Sequence, residues 1–417
     1  MNAKGAVLNH GVKQLRIARK EYTARQRRSF GPDRLRILPT LRFRMRHALT
    51  NCTLYTGTAV LPQHALLLRD ERIEAVLPST DLPADIPRTD AHGLNVAPGL
   101  IDLQIYGGGG MLFSVEPTVE VLARLQQAIL RQGTTRFLAT MPTNSPAMMR
   151  AALEAANAFR QQSPYGLLGI HLEGPYINPI KKGAHQAEFI KAPTTSEVTD
   201  LLNLSQGALR IMTMAPEVAT PEVVQLLREA GVVLSAGHSD ATYAQATAGF
   251  RQGFTAATHL FNAMSPLGSR EPGMVGAVYD AESAHASIIA DGQHCDFAAI
   301  RISKKIMGER LFLITDAVEE STQGAYRFRR NGERFVDELG TLAGSALTLM
   351  QAVQNCVQHV GLPLAESLRM ATLYPARVIH QDHELGLLQA HYLADLCLFD
   401  DAFAVKGTML QGDLQWH

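Results

Sequence analysis

The chain has 417 residues, 46% of them hydrophobic and 19% charged, which is enough apolar sequence to bury a large core. Its 39 basic and 39 acidic side chains cancel, but twelve of the basic ones lie in residues 1–44, so the rest of the chain is acidic. An acidic chain argues against a nucleic-acid partner, which would need a basic surface. No apolar run approaches the roughly 18 residues of a membrane span. The four cysteines lack CxxC spacing, which favours reduced thiols in a cytoplasmic enzyme.

Residues 1–44 are rich in arginine and show little hydrophobic periodicity. This composition is compatible with an organellar transit peptide or with a basic arm for an anionic partner. A third interpretation is a disordered or non-native upstream extension. We favour the third, because Met45 is soon followed by strand-like sequence at residues 48–55, as a natural start would be.

Two β-rich segments stand at the ends of the remaining chain. Residues 45–96 contain apolar runs at Ala65–Leu68 and Ile73–Leu77, on either side of an Arg69–Arg72 turn. Residues 385–417 have a similar pattern. Because segments from both chain ends can pair in one sheet, the sequence predicts a small β-sandwich domain that flanks the rest and has no catalytic role.

Residues 97–384 alternate short apolar runs with amphipathic helical stretches, which is typical of βα units and a parallel sheet. The helical stretches at residues 118–132 and 241–252 have an apolar stripe and end next to Gly133 and Gly253. Eight such units predict an α/β TIM barrel, with a doubly wound open sheet as the alternative. The predicted strands are Leu100–Gln104, Arg136–Thr140, Leu168–Glu173, Arg210–Met214, Val232–His238, Ala256–His259, Ser287–Asp291 and Leu311–Asp316.

Nearly every predicted strand ends in a polar side chain capable of chemistry. In a TIM barrel the C-terminal strand ends face one mouth, so residues far apart in the chain converge there. Seven polar ends at the same relative position are hard to explain by solvation alone, and they locate an active site at this mouth. The residues are Asp102 and Gln104, Thr140, His171 and Glu173, His238, His259, Asp291, and Asp316.

Glu173, His238 and His259 offer one carboxylate and two imidazoles, the ligand types of a catalytic Zn²⁺ or Fe²⁺ site with an open position. A single strand-end histidine is more often a hydrogen-bonded core residue, but three such ligands together favour a metal. A cation held there lowers the pKa of bound water towards about 7. Asp316 can accept a proton from that water and deliver it to a leaving amine. The residues therefore predict a metal-dependent hydrolase.

A second set of polar residues suits an anionic group such as a phosphate monoester. It comprises residues 181–185, Asn262–Ala263, Arg270 and His294. The planar guanidinium of an arginine can bind two phosphate oxygens at once. Each of these signals is weak by itself, because an arginine in a loop is usually only solvated.

Several motifs resemble those of a known family. Ala97–Asp102 resembles the first-strand motif of the amidohydrolase superfamily. Six further motifs are similar to those of N-acetylglucosamine-6-phosphate deacetylases, and the resemblance extends from about Met45 to the C-terminus. These motifs are His171–Pro175, Ser235–Ser239, Thr258–Met264, Ile289–Gly292 with His294, Leu313–Ala317 and Ala371–Arg377.

The resemblance implies hydrolysis of the acetamide of N-acetyl-D-glucosamine 6-phosphate to D-glucosamine 6-phosphate and acetate. It implies that Glu173, His238 and His259 hold the metal. Asp316 would be the general base and acid, and His185 would polarise the acetyl carbonyl.

The resemblance also implies how the sugar phosphate is held. Family members are homodimers, in which the arginine matching Arg270 reaches the phosphate in the neighbouring subunit. The implied substrate-binding residues are Ala184, His185, Asn262, Ala263, Arg270, Asp291, His294, Leu342, Ala343 and Gly344.

The chain departs from the family pattern at three places. Gln104-Ile105-Tyr106 stands where the superfamily has His-x-His, which predicts one divalent metal per subunit, Zn²⁺ with Fe²⁺ or Co²⁺ as alternatives. Single-metal members also have the glutamine, but Tyr106 replaces a commoner asparagine. Ala343 occupies a position where serine is usual, and His391-Tyr392 replaces Gly-Lys.

Three rival functions stay open at this point. Two are other amidohydrolases, a galactosamine-6-phosphate deacetylase and a cyclic amidase. A carboxylated lysine bridging two metals would favour the cyclic amidase, but Glu173 occupies the corresponding strand end. The third is a non-catalytic sugar-phosphate-binding barrel. The presence of Asp316 beside three ligands argues against it, because binding alone requires no proton transfer.

Overall fold

A computed structural model describes residues 46–163, 165–332 and 334–417, so the interpretation of residues 1–44 lies outside the described part of the chain. Within that part, no helix is both long and apolar enough to cross a membrane. The strands are β1 His47–Tyr55, β2 Val60–Arg69, β3 Arg72–Pro78, β4 Arg88–Asp90, β5 Asn95–Pro98, β6 Leu100–Ile105, β7 Gly107–Gly108, β8 Met111–Leu112, β9 Thr134–Pro142, β10 Leu167–Glu173, β11 Leu209–Met214, β12 Val233–Ala236, β13 Ala256–Ala257, β14 His285–Ile288, β15 Leu311–Leu313, β16 Arg329–Asn331, β17 Arg334–Val336, β18 Leu342–Ser345, β19 Leu396–Phe399, β20 Val405–Leu410 and β21 Asp413–Trp416. The α-helices are α1 Val119–Leu130, α2 Pro146–Gln162, α3 Thr195–Ser205, α4 Pro221–Glu229, α5 Tyr243–Gln252, α6 Gly273–Asp280, α7 Phe297–Met307, α8 Leu349–Asn355, α9 Leu364–Ala371 and α10 Leu373–Val378.

The strands β6 and β9–β15 form one eight-stranded parallel sheet, in which spatial neighbours follow the order of the chain. Ile105, at the end of β6, makes a parallel bridge to Ala317 beyond β15, and the Asp316 N–H donates to the Gln104 carbonyl at 3.0 Å. The first and last strands therefore meet at their C-terminal ends and nearly close the sheet. The predicted TIM barrel is confirmed, because a doubly wound sheet would reverse its strand order at a switch point.

The helices around the barrel have the caps and stripes expected from the sequence. The Thr118 hydroxyl caps α1 by accepting from the Val121 N–H. Thr242 and Gln245 form a capping box at the start of α5, and this helix ends at Gly253, whose φ is 136°. Both predicted helices are thereby confirmed. The buried stripe of α1 consists of Val121, Leu122, Leu125, Ile129 and Leu130.

A second sheet joins the two ends of the described chain in the order β21-β20-β19-β5-β1-β2-β3, with β4 also paired to β1. β19, from the C-terminal segment, runs antiparallel to β5, from the N-terminal segment. β1 is the branch point: residues 48–50 pair with β4, and residues 53–54 pair with β5. The predicted β domain built from both chain ends is confirmed, and its strands form one hydrogen-bonded network. The predicted boundary between residues 96 and 97 lies inside β5.

A buried ion pair joins this sheet to the N-terminal end of the barrel. Arg136, near the start of β9, donates from Nε to Asp395 Oδ2 at 2.6 Å, and both side chains are buried. The other oxygen of Asp395 accepts from the Gln411 N–H at 2.8 Å. Either charge alone would lose its hydration without compensation, so the pair stabilises the junction only as a unit.

The segment after β15 lies at the opposite, C-terminal end of the barrel. It carries β16–β18, a three-stranded antiparallel sheet. Its aromatic side chains pack with residues near β6 and β8 into a hydrophobic cluster separate from the barrel core, which we call the mouth cluster. The mouth cluster consists of Tyr106, Leu112, Val318, Tyr326, Phe328 and Phe335.

Candidate active site

Three polar residues beyond the C-terminal strand ends have a left-handed backbone. Their φ values are 49° at His238, 35° at His259 and 56° at Asp316. This conformation is uncommon for residues other than glycine, costs on the order of 1–3 kcal/mol, and clusters at functional sites. It also explains why β12, β13 and β15 end two or three residues earlier than predicted, since left-handed backbone cannot continue a strand ladder.

Glu173, the last residue of β10, faces two of these side chains. Its Oε1 lies 3.3 Å from His238 Nε2 and 3.0 Å from His259 Nε2, and the two nitrogens are 3.2 Å apart. Ligands placed tetrahedrally about 2.0–2.1 Å from a Zn²⁺ ion are roughly 3.3 Å from one another. The three side chains are buried and their spacing fits a shared cation, so they form a candidate metal-binding triad.

The outer nitrogens of the two imidazoles determine what the inner nitrogens can do. His238 Nδ1 lies 2.8 Å from the Lys181 carbonyl oxygen, which can only accept, so Nδ1 carries a proton and Nε2 of the neutral ring presents a lone pair. Burial lowers the pKa of His259, which favours its neutral form. His259 Nδ1 is buried without a hydrogen-bond partner among the described residues. Two ring nitrogens and a carboxylate oxygen that face one another in this way fit a cation bound between them.

The second oxygen of Glu173 is engaged by hydrogen-bond donors. Oε2 accepts from the Tyr106 hydroxyl at 2.5 Å and lies 3.0 Å from His185 Nε2. The Gln104 amide nitrogen lies 2.7 Å from the Tyr106 hydroxyl oxygen and 3.0 Å from Glu173 Oε1. Burial by itself raises the pKa of Glu173, but His185 and the two facing histidines lower it well below its usual value. Glu173 is therefore a carboxylate.

Asp316 lies beside the triad. Gln104 Nε2 donates to Asp316 Oδ1 at 2.8 Å, so this amide stands between Asp316 and Glu173. Burial, and then the charge of Glu173, raise the pKa of Asp316 well above its ordinary value. Positive charge held by the triad would act in the opposite direction and favour the carboxylate. A carboxyl group under two opposing influences suits the transfer of a proton near neutral pH.

His185, from the loop after β10, carries its proton on the nitrogen that faces Glu173. The Thr143 N–H donates to His185 Nδ1 at 3.2 Å, so the neutral ring must bear its hydrogen on Nε2. Burial, followed by the proximity of His238, lowers the pKa of His185 to about 4. The side chain is thus a neutral hydrogen-bond donor at neutral pH.

These side chains open on a cavity of about 170 Å³ at the barrel mouth. The structure brings most of the predicted site residues into its lining, although they come from five loops of the barrel. The predicted residues that line the cavity are Glu173, Ala184, His185, His238, His259, Asn262, Ala263, His294, Asp316, Leu342, Ala343 and Gly344.

Two predicted substrate-binding residues lie outside this lining. Asp291 instead contacts His294, with Oδ2 2.7 Å from His294 Nδ1 and Oδ1 accepting from the His294 N–H at 2.8 Å. Asp291 therefore orients the imidazole of His294 towards the cavity. Arg270 is exposed on the loop before α6 and does not line the cavity of this subunit.

Some of the polar strand ends support the barrel and do not reach the cavity. Asp102 accepts from the Thr315 hydroxyl at 2.5 Å, across the seam between β6 and β15. The Thr140 hydroxyl accepts from the backbone of β6 at 3.1 Å. His171 Nε2 lies 2.7 Å from the Thr213 hydroxyl of the neighbouring strand. The expectation that polar strand ends mark the mouth holds for the candidate triad and Asp316, but not for these three.

Comparisons with known proteins agree with this geometry. The model of the Amidohydrolase family matches residues 95–414, and that of the NagA composite domain matches residues 46–96. The N-acetylglucosamine-6-phosphate deacetylase of Haemophilus influenzae is 38% identical over 379 residues, covering 88% of this chain and 99% of that protein. The chain belongs to the N-acetylglucosamine-6-phosphate deacetylase family.

Other relatives and solved structures extend the comparison within this deacetylase family. The N-acetylgalactosamine-6-phosphate deacetylase of Shewanella sp. is 36% identical, covering 81% of this chain and 88% of that protein. The crystal structure of N-acetylglucosamine-6-phosphate deacetylase from Pasteurella multocida has a TM-score of 0.87 at 36% identity, covering 89% of this chain and 100% of that chain. A variant from Mycobacterium smegmatis, solved with N-acetyl-D-glucosamine-6-phosphate, has a TM-score of 0.81 at 32% identity, covering 88% of this chain and 99% of that chain.

Sequence reasoning missed part of the deacetylase-family site. Gln104 was expected at the mouth as a polar strand end and not as a ligand, but its contact with both Glu173 and Asp316 was not foreseen. Tyr326 and Phe328 line the cavity from the segment after β15, and no local pattern marks them because they reach it only through the folding back of that segment. The other missed lining residues are Ser114, Pro142, Ile289 and Val318, whereas Gly183 belongs to the predicted stretch 181–185.

Proposed function

We propose that this chain hydrolyses the acetamide of N-acetyl-D-glucosamine 6-phosphate to D-glucosamine 6-phosphate and acetate. The observation that carries the proposal is the Gln104 amide, which stands between Asp316 and Glu173 at 2.8 and 3.0 Å. A proton-transferring carboxyl group thereby lies next to a candidate metal-binding triad. The identity of 38% to a deacetylase of this substrate supports the assignment of the sugar phosphate.

The proposed cofactor is one divalent cation per subunit, held by Glu173, His238 and His259. Zn²⁺ suits one carboxylate and two imidazoles, with Fe²⁺ or Co²⁺ as alternatives. When bound, such a cation polarises the carbonyl and makes water a stronger nucleophile. The hydrogen-bond donors of Gln104 and Tyr106, at the positions of the superfamily's histidine pair, support a single cation.

The protein's own residues would move the protons. Asp316 accepts a proton from the attacking water as the new C–O bond forms, and then delivers it to the amine nitrogen as the C–N bond breaks. His185, neutral and protonated on Nε2, would turn that N–H from Glu173 Oε2 to the acetyl oxygen as negative charge develops there. Both roles require buried side chains, and both side chains are buried.

The sugar phosphate would be held by the loops that line the rest of the cavity. His294, oriented by Asp291, offers an imidazole nitrogen to an anionic or hydroxyl group. The proposed contacts from this subunit are Ala184, Asn262, Ala263, His294, Leu342, Ala343 and Gly344.

We also propose a homodimer in which Arg270 completes the neighbouring subunit's phosphate site. The exposed position of Arg270, outside the cavity of its own subunit, is compatible with this role. The test is complementation between Arg270→Ala and Asp316→Asn, each of which is impaired alone. A mixed dimer contains one site with Asp316 and an Arg270 from the partner, so mixing after subunit exchange should restore activity. Activity no higher than the sum of the separate variants would contradict the arrangement.

The proposed reaction is tested by measuring acetate release from purified, Zn²⁺-loaded protein. N-acetylglucosamine 6-phosphate is compared with its galactosamine epimer and with a cyclic amide. The expected result is a higher kcat/KM for the glucosamine substrate than for either alternative. Preference for an alternative would reassign the substrate. Binding of the sugar phosphate by calorimetry without any acetate would favour the non-catalytic rival.

The unpaired state of the cysteines supports a proposed cytoplasmic location. Cys52, Cys295, Cys356 and Cys397 are free and buried. Buried unpaired thiols are typical of proteins that work in a reducing compartment. Fractionation of cells with an antibody to the protein tests this, and recovery with an organelle or the periplasm would contradict it.

A further inference from the structure

Tyr106 immediately follows β6, and its hydroxyl contacts the candidate metal-binding triad directly. The hydroxyl donates to Glu173 Oε2 at 2.5 Å and accepts from Gln104 Nε2 at 2.7 Å. Neither contact is to a ring nitrogen of the triad. The side chain therefore touches a ligand of the proposed metal without being placed to act as a ligand itself.

The ring of Tyr106 is held by its surroundings independently of Glu173. It is packed in the mouth cluster and is 7% exposed. Its backbone N–H donates to the Ala317 carbonyl at 2.9 Å, and its carbonyl accepts from the Phe113 N–H at 2.8 Å. The location of the hydroxyl is thus set by packing and by the seam between the first and last barrel strands.

The two oxygens of Glu173 consequently have different surroundings. Oε2 is engaged by the Tyr106 hydroxyl and by His185 Nε2. Oε1 faces His238 and His259 at 3.3 and 3.0 Å, with the Gln104 amide nitrogen also 3.0 Å away. We propose that Tyr106 is a positioning residue that presents Glu173 to the metal through Oε1 alone. A carboxylate that binds through one oxygen leaves a coordination position open for water or substrate, whereas a carboxylate that binds through two oxygens competes for it.

The proposal rests on the proposed function only where that function assigns a metal to the triad. Its test is the affinity of the purified protein for Zn²⁺, measured by competition with a fluorescent chelator. Removing the donor in Tyr106→Phe should raise the Kd for Zn²⁺ by about 10–100-fold, the usual effect of losing a partner of a metal ligand. The Co²⁺-loaded variant should also show an altered visible absorption spectrum, because Glu173 is free to bind through both oxygens.

Tyr326→Phe is the matched control. Tyr326 belongs to the same mouth cluster and is 2% exposed, but its hydroxyl donates to the Thr143 carbonyl at 2.5 Å and not to a triad residue. Its Kd for Zn²⁺ and its Co²⁺ spectrum should match those of the parent protein. The melting temperatures of the two metal-free variants should be similar, which separates a loss of positioning from a loss of packing.

The outcomes distinguish this inference from the proposed function. If the parent protein binds Zn²⁺ and Tyr106→Phe binds it equally well, the inference is wrong and the function stands. Equal weakening in both tyrosine variants would also overturn it, since packing would then be the cause. If the parent protein binds no divalent metal, the metal assignment in the proposed function fails first.

Discussion

The buried polar groups at the two ends of the barrel strands differ in whether their charges are paired. At the N-terminal end, Arg136 and Asp395 form a pair in which each charge has an opposite partner at 2.6 Å. At the C-terminal end, buried carboxylates and imidazoles crowd together, and several residues have a left-handed backbone. The crowded groups are Glu173, His185, His238, His259 and Asp316.

This difference separates stability from chemistry within one fold. Paired charges at the junction with the second sheet compensate each other, and the loss of one of them alone should lower the free energy of unfolding. Like-charged or acceptor groups held together at the mouth destabilise the folded state. The same crowding suits them to binding a cation and a substrate. Substitutions at the two ends should therefore leave distinct signatures in activity and in unfolding.

The largest expected effect on activity is that of His238→Asn. Asparagine tolerates the left-handed backbone at this position and can donate to the Lys181 carbonyl, but it places no lone pair where Nε2 stands. Zn²⁺ binding should be lost, and kcat/KM should fall by on the order of 10⁴-fold or more, since the cation supplies several kcal/mol of transition-state stabilisation. Metal content and kinetics check this, with unfolding of the chelator-treated proteins as the control. A variant that retains stoichiometric Zn²⁺ would remove His238 from the ligand set.

Asp316→Asn comes next and separates proton transfer from metal binding. The amide keeps the shape of the side chain but cannot accept a proton, so kcat should fall by about 10²–10⁴-fold. The Kd for Zn²⁺ should stay close to that of the parent protein, because Asp316 is not a triad member. Activity within tenfold of the parent would show that another group carries the proton.

Asp395→Asn tests the N-terminal end. It leaves the Arg136 guanidinium buried without its counter-charge, so the free energy of unfolding should fall by about 3–5 kcal/mol. The kcat of the folded protein should be unchanged, since the pair lies far from the strand ends that carry the site. Denaturant unfolding of the metal-free protein measures the free energy of unfolding, and steady-state kinetics measure kcat.

The double variant Arg136→Met, Asp395→Leu is the control for that experiment. It removes both charges together, and most of the lost stability should return. If the double variant is as unstable as Asp395→Asn, the effect comes from packing and not from an unpaired charge.

The smallest expected effect is that of Arg270→Ala, on the exposed loop before α6. Loss of a charge-assisted contact to phosphate is worth about 1.5–3 kcal/mol, so KM for the phosphorylated substrate should rise by roughly tenfold or more, with kcat little changed. The unphosphorylated sugar is the control substrate. An equal rise in KM for both sugars would exclude a phosphate contact.

Much of the architecture could be predicted from local patterns. The eight strands, the caps of α1 and α5 and the pairing of both chain ends follow from periodicities and turn residues that lie close together in the chain. The strand-end positions of Glu173, His238 and His259 were enough to expect them in one place, because barrel closure brings such ends to a common mouth. Their convergence within 3.0–3.3 Å agrees with that expectation.

The tertiary structure decided which polar strand ends serve the site. Asp102, Thr140 and His171 have the same strand-end pattern as the candidate triad, yet their side chains form hydrogen bonds within the barrel wall. Side-chain direction near a strand end depends on where the backbone turns left-handed, and periodicity does not reveal that turn. The interpretation of Gln104 was incomplete for the same reason, since its role depends on the distance between two other residues.

The sequence by itself thus determined the barrel and the types of ligand at its mouth, because short local patterns predict both. Only the tertiary structure decided that Tyr106 and Gln104 hold Glu173, and that the segment after β15 folds back to line the cavity. Such contacts join residues far apart in the chain: Gln104 and Asp316, for example, are separated by 212 positions. Their partners are selected by packing across the closed sheet, which no local stretch of sequence specifies.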